Sequence, residues 1–199
     1  YFQGADMATF TFTNSTGLGF KDSAVFTQTL SLYGMTGTIT DVSIGFTNLS
    51  HSWAGDLDML LVHANGNNNL EFLSDAGSRN DFAGDYVFQD GWAAIPSSPT
   101  AIADPIPAGP YGPSTYSNTE DDAYYGSATG GITRTGFVSA FGGLDANGDW
   151  TLYAADDGFL DTGGFDAFSL WVETSIDSID LAGTASDDAI VFDFGATSG

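Results

Sequence analysis

The stretch "DVSIGFTNL" at residues 41–49 alternates strictly, with Val42, Ile44 and Phe46 on one face and Asp41, Ser43 and Gly45 on the other. Period-two alternation of this kind marks a half-buried β-strand, because successive side chains of a strand point to opposite faces of the sheet. The same rhythm recurs in "TFTFT" (9–13), "DLDMLLVH" (56–63), "WTLYA" (150–154) and "DAFSLWVE" (166–173). In the second of these Leu57, Met59 and Leu61 share one face and Asp56 and Asp58 the other, while in the last Phe168, Leu170 and Val172 point inward. Helix-period stretches are hard to find. Short alternating runs punctuated by Gly, Asn, Asp and Pro predict an all-β fold, an antiparallel sandwich or barrel, and the 26 glycines suit its turns.

One interval breaks the rhythm. Residues 92–135 contain all six prolines, which cannot donate to a strand ladder, so a long surface excursion is expected there. Asn147-Gly148 reads as a hairpin turn, and the EF-hand spacing around it fails because Trp150 stands where that loop needs glycine. "YFQG" at 1–4 reads as a tag remnant, 5–174 as the sandwich domain, and 175–199 as a tail that forms an edge strand or begins a following module. The native chain is expected to continue past Gly199.

Charge narrows the function classes. Twenty-six acids, twenty-three of them Asp, face only Lys21, Arg79 and Arg134, for a formal net charge of −23. So acidic a surface repels phosphate, which argues against nucleic acid and anionic membranes as partners. No run of about 18 apolar residues offers a membrane span. Absence of cysteine excludes disulfides and thiolate metal sites. His51 and His63 are the only histidines and no GxSxG accompanies them, so no nucleophile–base pair stands out. Among 26 acids some carboxylate pair has glycosidase spacing by chance. No enzymatic activity is expected.

The order of segments resembles a known family. "GTITDVSIGFTNLSHSWAGDLDMLLVHANG" (37–66) is similar to the first half of a proprotein convertase P domain, or P/Homo B domain, with a strand, a "SHSWAGDL" bend and a second strand. "AFGGLDANGDWTLYAADDGFLDTGGFDAFSLWVE" (140–173) resembles its second half, and "GDYVFQD" and "AGPYGPSTY" look like linking motifs of the bacterial branch. The resemblance covers roughly 25–174. It implies a jelly-roll β-sandwich in a secreted or cell-surface bacterial protein, either as an accessory to a subtilisin-like protease or as a module without one. The tail "GTASDDAIVFDFG" weakly resembles the start of RTX-type calcium-binding modules.

Three cations cannot neutralise 26 acids, and crowded carboxylates raise one another's pKa. Aspartates and glycine-freed carbonyls on a tight loop suit a hard oxygen-seeking cation, so Ca²⁺ is the expected cofactor. "DDGFLDTGG" makes Asp156, Asp157 and Asp161 the expected nucleus of one site. Asp56, Asp58, Asp81, Asp85 and Asp90 are candidates for a second, on the expectation that the family topology gathers these segments. An alternative reading is an adhesin module that binds carbohydrate or peptide through Tyr111, Tyr116, Tyr124 and Tyr125 in the long excursion. Neighbouring modules of the same chain are further expected partners.

Overall fold

The computed structural model describes residues 7–64, 67–116 and 131–175. Tyr124, Tyr125 and the tail from residue 176 lie outside the described residues. In chain order the elements are β1 (Met7–Asn14), β2 (Leu18–Gly19), β3 (Ala24–Leu32), β4 (Ile39–His51), a 3-10 turn (Ala54–Asp56), β5 (Leu57–His63), β6 (Asn68–Ser74), β7 (Phe82–Phe88), β8 (Gly109–Tyr111), β9 (Ser114–Thr115), α1 (Phe137–Phe141), β10 (Gly148–Asp156), β11 (Gly163–Phe165) and β12 (Ala167–Ser175).

Two sheets form an all-β sandwich. One runs β1-β12-β4 with β11 and β2 continuing beside the end of β4, and with β7 and β8 on the far side of β4; the other runs β3-β10-β5-β6-β9. The chain crosses between sheets at most connections, which is jelly-roll connectivity, and the main ladders are antiparallel. Each strand expected from alternation is present. Inner faces supply the core: Val42, Ile44 and Phe46 from β4, Phe168, Leu170 and Val172 from β12, and Trp150, Leu152 and Ala154 from β10. A string of aromatic contacts through Phe46, Phe72, Phe88 and Phe137 ties β4, β6, β7 and α1 together.

Three strands, β3, β6 and β7, lie outside the alternating runs quoted above. β3 and β7 do alternate, but their inward positions include Gln28 and Gly84, which blur the pattern. Almost every residue of β6 is buried, so alternation disappears there. β5 is also buried on both faces. Leu60 and Val62, with Ala155 of β10, form a second cluster capped by Val25, Ile132 and Tyr153. Asp56 and Asp58 therefore do not share one strand face: Asp56 sits in the 3-10 turn, and Asp58 is buried in β5 opposite Ala155.

The proline-rich excursion is fastened to the sandwich more firmly than a surface loop requires. Ile95 and Ile106 enter the core, and β8 and β9 pair in parallel with β7 and β6, covering an edge of each sheet. Past the undescribed 117–130, Thr133 exchanges hydrogen bonds with Glu71 and Asn69, and Arg134 pairs with the buried Glu71 carboxylate. One of the chain's three cations is thereby committed to structure. Asn147-Gly148 is not a hairpin turn, because α1 precedes it. The Asn147 side chain instead bonds both the N–H and the carbonyl of Met35, tying the start of β10 to the segment after β3.

Candidate functional site

At one end of the sandwich the loop between β10 and β11 meets the bend between β4 and β5. The loop is held by hydrogen bonds at each step. Asp157 N–H donates to the Asp56 carbonyl (3.0 Å), Gly158 N–H to Asp156 Oδ1 (3.3 Å) and Leu160 N–H to Asp22 Oδ2 (2.8 Å). Ser52 binds from the other side: its Oγ–H donates to Asp161 Oδ1 at 3.2 Å, its Oγ accepts the Thr162 N–H at 3.3 Å, and its own N–H donates to the Thr162 carbonyl at 3.2 Å. The closeness explains two glycines. A Cβ on Gly158 would lie 2.0 Å from Asp56 Oδ2, and one on Gly163 would lie 2.1 Å from the Ser50 carbonyl oxygen.

This packing presses acids together. The partly buried Asp56 carboxyl is pushed up to about 7, first by desolvation, then by its hydrogen bond with Asp161 and by the charges of Asp157 and Asp161. Two carboxyl groups in hydrogen-bond contact need a proton or a cation between them. At the loop tip Phe159 and Leu160 are 76% and 93% exposed, and Leu160 has a φ of 74°. A side chain with a Cβ is strained in that left-handed region.

Asp156 belongs elsewhere. It is the last inward-facing residue of β10, 1% exposed, and its Oδ2 lies 3.3 Å from Nε2 of the equally buried His51, without the alignment of a hydrogen bond. Burial raises its pKa while the His51 charge opposes the rise. The other ring nitrogen, Nδ1, reaches the Trp53 carbonyl at 2.7 Å. The pair thus bridges the two sheets and anchors the bend. Neither ring nitrogen is left for Ser52, whose hydroxyl is turned to Asp161.

The nucleus expected from sequence divides accordingly. Asp157 and Asp161 meet Asp56, a residue expected in the second site, while Asp156 turns inward to His51. The remaining aspartates do not form one cluster. Asp81 is exposed beside Ser50–Ser52 and Thr162, lining a shallow depression. Asp85 accepts the Asn48 N–H, and Asp90 accepts the N–H groups of Phe137 and Val138 at the start of α1. Of the tyrosines, Tyr111 donates its hydroxyl to the Pro107 carbonyl and Tyr116 to that of Ile95, both within the excursion. His51 reads from sequence as a structural residue of the bend, but nothing near it announces Asp156 as its partner.

The donors around Asp56, Asp157, Asp161 and Ser52 are all oxygens, which suits a hard cation rather than zinc. Among the described residues no three His, Asp or Glu side chains are already disposed as a metal cage.

No protein-family model matches the chain, and no curated protein sequence matches it. Among solved structures, a serine protease of Aeromonas sobria overlaps it with a TM-score of 0.49 at 14% identity, over 87% of this chain. A complex of Aeromonas sobria serine protease and the chaperone overlaps with a TM-score of 0.43 at 13% identity, over 86%. This chain spans 28% of the length of each.

Proposed function

We propose that this is a non-catalytic, calcium-binding β-sandwich module of a larger secreted or cell-surface bacterial protein, of P-domain type. The observation that carries the reading is the juxtaposition of Asp56, Asp157 and Asp161, with the Asp56 carboxyl raised to about 7 beside Asp161. Asp56, Asp157 and Asp161 would hold the ion, which would supply the positive charge that the chain's own side chains do not. The loop would then change from mutually repelling acids to a cross-linked corner joining β10 and β11 to the β4–β5 bend. That is a stabilising and presenting role. Its non-catalytic character is supported by His51, whose two ring nitrogens face Asp156 and the Trp53 carbonyl.

Binding to the folded state alone stabilises it by about 2.7 kcal/mol at a hundredfold excess over Kd. Melting of the chain is therefore expected to rise by several degrees in millimolar Ca²⁺ relative to EDTA, with much less response to Mg²⁺. Asp157→Ala with Asp161→Ala removes most of that rise, whereas Asp90→Ala lowers stability through the lost α1 cap and leaves the calcium response intact. An identical melting curve in Ca²⁺ and EDTA, from protein shown to be metal-free, would sink the reading.

A further inference from the structure

The outer face of the β1-β12-β4-β7 sheet carries a second feature, built from residues other than those of the β10–β11 loop. An open groove of ≈ 360 Å³ crosses these four strands, at the lower end of small-ligand sites. Its floor is Trp171, which points outward because its neighbours Leu170 and Val172 fill the core. Gly45 lies beside it on β4. A Cβ there would come within 2.7 Å of Trp171 Cη2 and Cζ3, so the missing side chain is what lets the indole lie across the neighbouring strand.

Beside the indole, Glu173 and Asp41 stand directly opposite one another on β12 and β4. Like charges in that position destabilise a sheet. Asp41 is raised by desolvation and further by the charges of Glu173 and Asp90, against a lowering contact from Val42 N–H. Glu173 accepts from Thr9 Oγ1 at 3.2 Å and Asp41 from Val42 N–H at 2.8 Å, which engages one oxygen of each. None of Lys21, Arg79 and Arg134 lines the groove. Gln89 completes the polar wall and Val87 the apolar one.

We infer that this groove binds an arginine side chain presented by a partner protein. A guanidinium is flat enough to stack on the indole, carries a fork of donors for two carboxylates, and removes the repulsion between Glu173 and Asp41. A neutral sugar would stack equally well but leave that repulsion in place. A bare metal ion would gain nothing from Trp171 or Val87. The net charge of −23 draws a cationic segment toward this surface and repels an acidic one.

The test is an NMR titration of the isotope-labelled chain with acetyl-Gly-Arg-Gly-amide, its citrulline counterpart and a neutral hexasaccharide, following the indole N–H of Trp171. The arginine peptide is expected to shift that signal, to weaken as salt is raised, and to bind about tenfold more tightly than the citrulline peptide, which keeps the shape and loses the charge. Glu173→Gln, which can still pair with Thr9 but no longer repels Asp41, is expected to cut that preference severalfold while leaving the melting temperature unchanged or raised. Trp171→Ala, followed through the backbone signals of Ser43 and Gln89, weakens both peptides. Equal binding of the two peptides, a shift caused by the hexasaccharide instead, an unchanged preference in Glu173→Gln, or no shift at all would each overturn the inference.

Discussion

Replacing Asp56 by asparagine isolates the electrostatic cost of the crowded loop. The Asp56 pKa rises from 3.8 to about 7 on folding. At 1.36 kcal/mol per unit the undiscounted cost of ionising it in the folded state is about 4 kcal/mol. The residue is only partly buried, and solvent screening reduces this to about 1–2 kcal/mol. The sign follows from proton binding. The folded state holds the proton more tightly than the unfolded chain, so the favourable contribution is complete below about pH 4 and is lost as pH rises through about 7. Metal-free wild type should therefore lose stability across that window, and Asp56→Asn should escape this part of the loss. Its amide can still donate to Asp161, so below about pH 4, where Asp56 is protonated in both folded and unfolded chains, the two proteins are expected to melt together. At pH 8 in EDTA the variant should melt higher by about 2–8 °C, taking about 2–4 °C per kcal/mol for a domain of this size. Differential scanning calorimetry from about pH 3.5 to about pH 8 measures the difference directly. Because the other acids titrate in both proteins, a variant-minus-wild-type difference that stays constant with pH would refute the reasoning.

The buried His51–Asp156 pair makes a separate prediction: His51→Leu or Asp156→Leu alone should cost about 3–5 kcal/mol in denaturant unfolding, since each strands a buried polar partner. The double variant should cost far less than the sum, and strictly additive losses would mean that the two residues act independently. At the loop tip, Leu160→Gly should leave stability unchanged or raise it by about 1 kcal/mol, because it relieves the strain at φ 74° and sacrifices almost no burial. A clear loss of stability would show that Leu160 makes contacts in solution.

Much of this protein was legible in its sequence, for a definite physical reason. Where a strand has one face in the core and one in water, hydrophobicity alternates, and β1, β4, β10 and β12 could be read from that alone. β6, buried on both faces, and the parallel edge strands β8 and β9 carry no such pattern. The acidic excess is likewise a property of composition; which acids meet is not. In "DVSIGFTNL" Val42, Ile44 and Phe46 point inward as expected, and continued alternation would send His51 outward. Instead β4 gains one residue against β7 between Phe46 and Leu49, with Asn48 at a φ of 52°. The Asn48 N–H is held by Asp85 and its side-chain amide by Asp166. Because the side-chain period of a strand is two, a single extra residue inverts everything after it. Leu49 and His51 therefore turn into the core, and His51 arrives opposite Asp156, the last inward residue of a strand in the other sheet. That inversion rests on partners far along the chain, so only the folded structure could place the pair that anchors the bend and leaves Asp56, Asp157 and Asp161 together at the surface.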